Sequence, residues 1–408
     1  MTTSRGSRLE AEEEESDHLR NPLKKGSLRE IALAFLRLGS LAFGGPAAHI
    51  ALMEQEFVKR RKWLGHADFV DRLGAVNLLP GPTSTEMAIY LGELRGGFPG
   101  LLTAGACFIL PAAFMTLGLA WAYVRYGALP QLAGVLWGVK PVVVVLLAQA
   151  IWSLAKAALK SNELRFLAAV VLVLAALRVP TLPLLVGTGV AWIAANRFGA
   201  EPAAKSAVAA LSLQETASSN VAAATGGVAG AALATTSAVF FYFLKIGALL
   251  VGSGYVLMAV LREDLVERLH WLAEPQLLDA IAVTQATPGP FFTVATFLGY
   301  LLGGWRGAGL ATFGMFVPAF TYVALTARVL PRMRKSSNAG AFLDGVNAAA
   351  VALMAFVGFQ FAREVATSPL AVMIGMVAAV AVFRFRVNSA WVILGGSVAG
   401  MATKLVAS

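Results

Sequence analysis

The sequence predicts an all-α polytopic membrane protein made of two inverted-topology repeats with broken helices and about 10–13 transmembrane segments. Three observations lead to this fold class: the composition, a tandem repetition, and a reversal of loop charges between the halves. Hydrophobic residues make up 58% of the 408 residues and charged residues only 14%, whereas soluble domains carry about 25% charged residues. The lipid bilayer is therefore the first partner that the composition implies.

Apolar segments of membrane-spanning length run along the whole chain. They cover residues 29–53, 73–91, 99–123, 134–155, 166–196, 236–261, 278–302, 307–330, 341–362 and 369–405. Each is near or above the ~20 residues that a spanning helix needs, and none shows the apolar–polar alternation of a barrel strand. The two longest segments are predicted to be helical hairpins that turn at Arg178 and at Arg384.

A tandem repeat relates the two halves of the chain. Pro80-Gly81-Pro82 and Pro288-Gly289-Pro290 stand 208 residues apart, and the same offset aligns Asp71 with Asp279. At an offset of 207 residues the match continues, with Gly92, Gly100 and Pro111 falling on Gly299, Gly307 and Pro318. We therefore predict a cytoplasmic tail over 1–27, a first repeat over 28–196, a linker over 197–235 and a second repeat over 236–408.

Loop charges predict that the second repeat is inverted. In the first half, the loop after the first apolar segment is basic, with Lys59, Arg60, Arg61 and Lys62. The corresponding loop of the second half is mainly acidic, with Glu263, Asp264, Glu267 and Glu274. Because Lys and Arg are retained on the cytoplasmic side, equivalent loops are expected on opposite sides of the membrane. The alternative is a pair of parallel copies whose charges have drifted.

The net charge of +10 follows from the same loops and does not indicate nucleic-acid binding. The N-terminal residues lack the apolar stretch and cleavage site of a secretory signal. We therefore expect a multi-pass membrane protein whose N-terminus is cytoplasmic.

Helix breaks in both halves predict a substrate site. Proline removes a backbone donor and obstructs the preceding turn, and an amide-bearing helix N-terminus after such a break favours an anion. The candidate substrate-binding residues at the breaks are Gly44, Gly45, Pro46, Pro80, Gly81, Pro82, Ser84, Thr85, Pro288, Gly289, Pro290 and Thr293. The alternative is that these residues serve only as kinks and close-packing positions.

Charged residues inside the apolar segments extend this prediction. Arg37 and Lys245 occupy equivalent positions in the two halves, so they are expected to bind one anion together. Lys140 is a third candidate, with snorkelling to the membrane surface as its alternative. Glu86 and His49 are candidates for carrying a proton or balancing charge. Helix capping and packing are the respective alternatives for these two residues.

At these motifs the chain resembles the chromate ion transporter (CHR) family, in its long two-domain form. The resemblance rests on Phe43–His49, both Pro-Gly-Pro motifs and Ala295–Tyr300, and it covers roughly residues 28–405. It implies export of chromate across a bacterial inner membrane, an oxyanion site built from both halves, use of the proton motive force, chromate resistance, and confusion with sulfate. The second half departs from the pattern, since it has Gly252-Ser253-Gly254 where the first has Gly-Gly-Pro.

Other functions are less compatible with the residues present. Four histidines, one cysteine and no paired intramembrane acids predict no metal, no cofactor and no catalytic site. The favoured function is therefore a secondary chromate exporter that is not an enzyme, and the alternative is a permease for sulfate or another oxyanion. Whether the chain acts alone or as a homodimer is left open by the sequence.

Overall fold

The computed structural model describes residues 26–43, 45–127, 130–198, 235–250, 256–327, 337–366 and 368–407. These residues form fourteen α-helices and no β-strand, which confirms the predicted all-α class. Gly44, the Gly252-Ser253-Gly254 motif, most of the predicted linker and nearly all of the predicted N-terminal tail lie outside the described residues.

Seven of these α-helices belong to the first half of the chain. They are α1 (Leu28–Leu41), α2 (Gly45–Met53), α3 (His66–Val76), α4 (Thr83–Tyr126), α5 (Pro130–Ala158), α6 (Asn162–Ala176) and α7 (Thr181–Phe198). A π-helix over Glu54–Arg60 continues α2.

The second half contains the other seven. They are α8 (Thr236–Leu249), α9 (Val256–Leu261), α10 (Glu274–Ala286), α11 (Val294–Thr326), α12 (Ser337–Val365), α13 (Pro369–Phe383) and α14 (Ser389–Ala407). A π-helix over Arg262–Arg268 follows α9, and a 3-10 turn over Phe291–Thr293 precedes α11. Within the described part of the chain, four helices are long and apolar enough to cross a membrane, namely α4, α5, α11 and α12.

Helices α1 and α2 form a hairpin that enters and leaves on the same side of the molecule. The indole Nε1 of Trp63 donates to Glu30 at 3.0 Å, and Arg61 pairs with the same carboxylate at 3.5 Å. The start of α1 and the end of the π-helix therefore lie together. Fourteen residues of α-helix rise about 21 Å, which is less than the ~30 Å apolar core of a bilayer. The break after α1 thus lies at mid-depth, and segment 29–53 turns back where its length alone predicted a crossing.

A second hairpin consists of α3 and the beginning of α4, on either side of Pro-Gly-Pro. Arg72 of α3 donates to the hydroxyl of Tyr90 at 3.1 Å, so the two helices run side by side. Helix α4 itself reverses at Gly97, where φ is +62°. A Cβ on Gly92 would lie 2.5 Å from the carbonyl oxygen of Gly100, although eight residues of straight helix span about 12 Å. Residues 83–96 and 98–126 are therefore two antiparallel arms.

The second half repeats this plan. Helix α11 reverses at Gly303 and Gly304, and a Cβ on Gly299 would lie 2.5 Å from the carbonyl oxygen of Gly307. The two reversals thus fall at equivalent repeat positions, in agreement with the alignment of glycines in the sequence.

The two halves open toward opposite ends of the molecule. We call the end that holds Glu30 and Arg95, which form an ion pair at 3.3 Å, the A side. The arm over 98–126 leads from there to Gly127 at the opposite end, the B side. Gly127 lines one cavity together with Trp271, which follows the π-helix of the second half. The ring of Trp271 packs 6.0 Å from that of Tyr242, midway along α8. The hairpins of the second half therefore open on the B side, which confirms the inverted topology.

Charged networks mark the A side as the end of the membrane-embedded part. The carboxylate of Glu56 accepts hydrogen bonds from Arg60 at 3.0 Å and Arg61 at 2.6 Å. Burial acts to raise the pKa of Glu56, but the two guanidinium groups outweigh it and hold this pKa below its ordinary value. The basic loop is thus ordered by carboxylates of its own half.

Candidate functional site

The four helix breaks meet in reciprocal pairs at the centre of the molecule. The amide of Gly81 donates to the carbonyl oxygen of Leu250 at 2.7 Å, and the amide of Gly289 donates to that of Ala42 at 2.8 Å. Gly81 is equivalent to Gly289, and Ala42 to Leu250, at the offset of 208 residues. Each Pro-Gly-Pro tip is therefore held by the broken first helix of the other half.

Both glycines adopt conformations that suit glycine alone. The φ angle is +133° at Gly81 and +96° at Gly289, in the region that side chains rarely enter. A Cβ on Gly289 would lie 2.5 Å from the Cβ of Ala112 and 3.0 Å from the carbonyl oxygen of Gly39. The chain thus approaches its neighbours closely at these tips.

Each tip is followed at once by the N-terminus of a helix. The amides of Thr85 and Glu86 both donate to the carbonyl of Pro82, at 2.7 and 3.0 Å, which leaves the amides of Thr83 and Ser84 as the remaining first-turn donors. In the second half the amide of Thr293 donates to Pro290 at 3.0 Å in the same way. The positive ends of two helix dipoles therefore lie at the inner tips of the hairpins.

His49 connects the breaks of the first half to one another. Its Nε2 lies 3.1 Å from the carbonyl oxygen of Ala42, and its Nδ1 lies 3.3 Å from the hydroxyl of Ser84. Because a carbonyl can only accept, Nε2 carries the proton and donates it. Ala42 accepts from Gly289 as well, so this buried imidazole belongs to a network that includes both halves.

Glu86 lies next to the first tip, buried in the interior of the molecule. Its side chain is completely buried, and neither carboxylate oxygen has a hydrogen-bond partner among the described residues. The hydroxyl of the adjacent Thr85 is also buried without a partner there. Polar groups of this kind are costly to bury unless they acquire a partner during function.

A hydroxyl pair adds a contact between the halves. Thr116, on the second arm of α4, lies with its Oγ1 3.4 Å from that of Thr293. The hydroxyl of Thr293 also donates to the carbonyl of Pro290 at 2.9 Å. The predicted site residues Ser84, Thr85, Glu86, Gly81, Gly289 and Thr293 are thus brought to the region of the tips.

Arg37 and Lys245 are located differently. Both side chains are exposed, on the outward-facing sides of α1 and α8. The flanking Leu33 and Leu41 are 54% and 60% exposed, and the equivalent residues Phe241 and Leu249 are 64% and 50% exposed. The structure therefore brings these two cations to equivalent surface stripes rather than among the buried residues of the tips.

Two cavities lie toward opposite sides of the molecule. A cavity of about 520 Å³ near the A side is lined by Pro46, Asn77, Thr83, Lys160, Asp344 and Asn347, among others. A cavity of about 650 Å³ near the B side is lined by Tyr123, Trp137, Lys140, Trp271, Gln276 and Asp279, among others. Pro46 and Thr83 belong to the breaks themselves, so the first cavity reaches the centre of the molecule.

Lys140 lies in the B-side cavity and is paired across the halves. Its ammonium is 3.0 Å from Oδ1 of Asp279, whose Oδ2 accepts a hydrogen bond from the hydroxyl of Tyr123 at 3.0 Å. Sequence reasoning selected Lys140 but missed its partners Asp279 and Tyr123, as well as the carbonyl acceptors Ala42 and Leu250. The alignment of Asp71 with Asp279 was the sequence signal that could have drawn attention to Asp279. Within the described residues, no group of three or more His, Cys, Asp or Glu could hold a metal ion.

Comparison with known proteins follows the same division into halves. The family model "Chromate transporter" matches residues 29–195 and again residues 237–401. The chain is 32% identical over 375 residues to a chromate transport protein of Cupriavidus metallidurans, covering 91% of this chain and 92% of that protein. It is 29% identical over 384 residues to a chromate transport protein of Pseudomonas aeruginosa, covering 92% of each.

A further relative is a probable chromate transport protein of Synechococcus elongatus, which is 29% identical over 358 residues, or 84% of this chain and 86% of that protein. No solved structure matches the chain. The two matched regions together make up most of the sequence, and each contains the hairpins of one half. The chain therefore belongs to the chromate transporter family.

Proposed function

We propose that this protein is a secondary transporter that exports chromate across the bacterial inner membrane, uses the proton motive force and confers chromate resistance. The observation that carries the proposal is the reciprocal pair of hydrogen bonds, Gly81 to Leu250 and Gly289 to Ala42, because it joins the breaks of both halves. Amides and hydroxyls near the tips are donors, and the oxygens of a tetrahedral oxyanion are acceptors only. Family membership supports chromate as the transported ion.

The position of the cavities supports alternating access. One cavity reaches the breaks from the A side, where Pro46 and Thr83 line it, and the other lies near the B side. In inverted-repeat transporters a rocking motion of one element against another exposes a fixed midplane site to each side in turn. Here the tips of both halves would form that site, with Gly45, Pro46, Pro80, Pro82, Pro288 and Pro290 shaping the breaks and Ser84, Thr85 and Thr293 offering hydroxyls.

Energetics favour outward movement of the anion. We assign the A side to the cytoplasm because the basic loop with Arg61 lies there. With the cytoplasm negative, outward movement of a dianion releases about 4.6 kcal/mol per 100 mV, twice the value for one charge. Membrane potential alone therefore drives export, whereas uptake would need coupled cations.

Glu86 supports the use of protons in this cycle, whereas His49 has a structural role. Both are buried beside the first tip, and Glu86 has no hydrogen-bond partner in the described structure. A dianion bound nearby would repel an ionised carboxylate, so we assign Glu86 the role of binding a proton together with the anion. The outgoing pair still carries a net negative charge, so the membrane-potential component of the proton motive force drives export while an inward proton gradient opposes it. His49, which bridges Ala42 and Ser84, is assigned to holding the tips in register.

The test is flux in proteoliposomes with purified protein, in which voltage and pH gradient are imposed separately. We expect chromate to move toward the positive compartment and to respond to voltage at equal pH. Parallel measurements with radiolabelled sulfate, alone and in competition, decide between the two oxyanions. Sulfate flux that chromate does not inhibit would replace the proposal by a sulfate permease, and absence of flux for both would refute oxyanion transport.

A further inference from the structure

We propose that Lys140 and Tyr123 form a second, weaker oxyanion subsite near the B side, in which Asp279 occupies the anion's place between transport cycles. This inference rests on the proposed function, since it adds a release site to the path of the same anion. Lys140 was expected from the sequence to contact substrate, whereas Asp279 and Tyr123 enter only through the structure.

An ammonium and a hydroxyl group converge on one carboxylate in this cluster. The ammonium of Lys140 lies 3.0 Å from Oδ1 of Asp279, and the hydroxyl of Tyr123 donates to Oδ2 at 3.0 Å. A cation and a neutral O–H donor at this spacing are what a tetrahedral oxyanion requires. Asp279 is only 6% exposed, yet it adjoins a cavity of about 650 Å³ that is large enough to admit an oxyanion.

The cluster is not an element that the repeat fold needs. At the equivalent positions of the other half, Asp71 is exposed and Asn347 replaces Lys140. A pair required for packing would be expected in both halves, because the surrounding helices are repeated. The lysine of this pair is thus particular to the B side, which is the side of release in the proposed direction of transport.

Exchange of partners makes the subsite weak. An anion that takes Lys140 and Tyr123 leaves Asp279 without its partners in a largely buried position, and this loss offsets much of the gain. Conduction through a membrane protein requires sites from which the ion can leave. The resident carboxylate thus lowers affinity where the anion must be released, and removing it should convert the site into one that holds the anion.

The position of Asp279 on α10 connects this exchange to the central site. Helix α10 ends at Ala286, directly before the tip at Pro288, whereas Lys140 belongs to α5 of the other half. The ion pair therefore ties a hairpin of one half to a long helix of the other. An anion that binds Lys140 on its way out would break the Lys140–Asp279 ion pair and thereby separate α10 from α5.

Site-specific labelling tests the subsite directly. Cys107 is the only native cysteine, so a Cys107→Ala background permits a single probe, Ala133→Cys, at the exposed lining of the B-side cavity. The rate of modification by a membrane-impermeant maleimide is measured in proteoliposomes against increasing molybdate. Molybdate is a tetrahedral dianion that, unlike chromate, leaves thiols unoxidised.

In this background we expect molybdate to slow labelling, and the half-protecting concentration to fall by about tenfold in Asp279→Asn. Lys140→Gln should abolish protection. Lys156→Gln, on the same helix but outside the cavity, is the matched control and should label like the parent. The double variant Lys140→Gln/Asp279→Asn replaces the ion pair by an uncharged pair of similar size, so no buried charge is left unpaired. It should also lose protection, which would show that protection depends on the cation and is not lost because the protein misfolds.

Protection that is absent in the parent, or unchanged in Lys140→Gln, would overturn the subsite. So would weaker protection in Asp279→Asn than in the parent. Flux of chromate is measured on the same preparations: flux without protection would refute the subsite and leave the transport function standing. Protection without any flux would refute the transport function and leave an anion site at Lys140.

Discussion

The amide of Gly81 donates a 2.7 Å hydrogen bond to the carbonyl oxygen of Leu250, which belongs to the other half of the chain. Its counterpart, from Gly289 to Ala42, repeats the bond in the opposite direction. A tip that moved relative to the facing helix would have to break a buried backbone hydrogen bond, which is costly in a membrane. We therefore expect each tip and the first helix of the other half to move together.

Substitution of the tip glycines should impair transport unequally. Gly289→Ala forces a Cβ to within 2.5 Å of Ala112, where neither backbone can yield. In Gly81→Ala the nearest atom, Oε1 of Glu86 at 2.6 Å, can rotate away, leaving a backbone strain of about 1–3 kcal/mol. We predict at least a tenfold loss of chromate flux in Gly289→Ala and a smaller loss in Gly81→Ala, measured in proteoliposomes.

The control for these variants is Gly118→Ala, where nothing lies within 4 Å of the added Cβ. Its flux and thermal stability should match those of the parent. Equal, undiminished flux in all three variants would show that the tips tolerate a side chain and that their close contacts are not required.

Removal of His49 should destabilise the joined breaks. His49→Ala deletes the hydrogen bonds to Ala42 and Ser84 and leaves a cavity against Phe108, over which the imidazole packs edge-on at 5.7 Å. Loss of buried hydrogen bonds costs about 1–3 kcal/mol each, so we expect a lower melting temperature together with reduced flux. His49→Gln, which can still bridge two partners, should recover part of both. A variant His49→Ala with unchanged melting temperature and flux would contradict this role.

Glu86→Gln should separate the two components of the proton motive force. The substitution keeps the size of the side chain but cannot bind and release a proton. We expect voltage-driven chromate flux to persist and the response to an imposed pH gradient to disappear. Both responses are measured on the same preparation of each protein, so the voltage response serves as the internal reference for the pH response. A Glu86→Gln protein whose flux still responds to the pH gradient would exclude Glu86 as the proton site.

Neutralisation of the two exposed cations should act through long-range attraction. Because Arg37 and Lys245 are exposed, we expect Arg37→Gln and Lys245→Gln to raise the KM for chromate several-fold at low ionic strength without changing kcat. The difference should shrink in salt, since the Debye length is about 8 Å at 0.15 M. Arg165→Gln, at another exposed position, is the control. Loss of kcat would indicate direct contact with the anion, and unaltered flux in both variants would remove these cations from its path.

Much of the architecture was predictable because it depends on residue types that act locally. Proline and glycine interrupt a helix wherever they occur in it, so Pro80–Pro82 and Pro288–Pro290 identify breaks without knowledge of the neighbours. Loop charges likewise report membrane topology one loop at a time. Hairpin closure was not predictable from segment length, because a segment of 25 residues satisfies the length of a crossing whether or not it turns back at its middle.

The sequence by itself determined that the chain is a duplicated and inverted set of broken membrane helices, since repetition, hydropathy and loop charge are all written in the order of residues. Only the tertiary structure decided which break meets which, and that Gly81 binds Leu250 rather than its own half. It also decided that Arg37 and Lys245 are exposed, whereas Lys140 forms an ion pair with Asp279. For α8 the physical reason is that its residues are apolar on nearly every side, so close packing at Gly247 sets which side faces inward. In α1 the close packing at Gly39 places the apolar side against α4 and Arg37 on the outside.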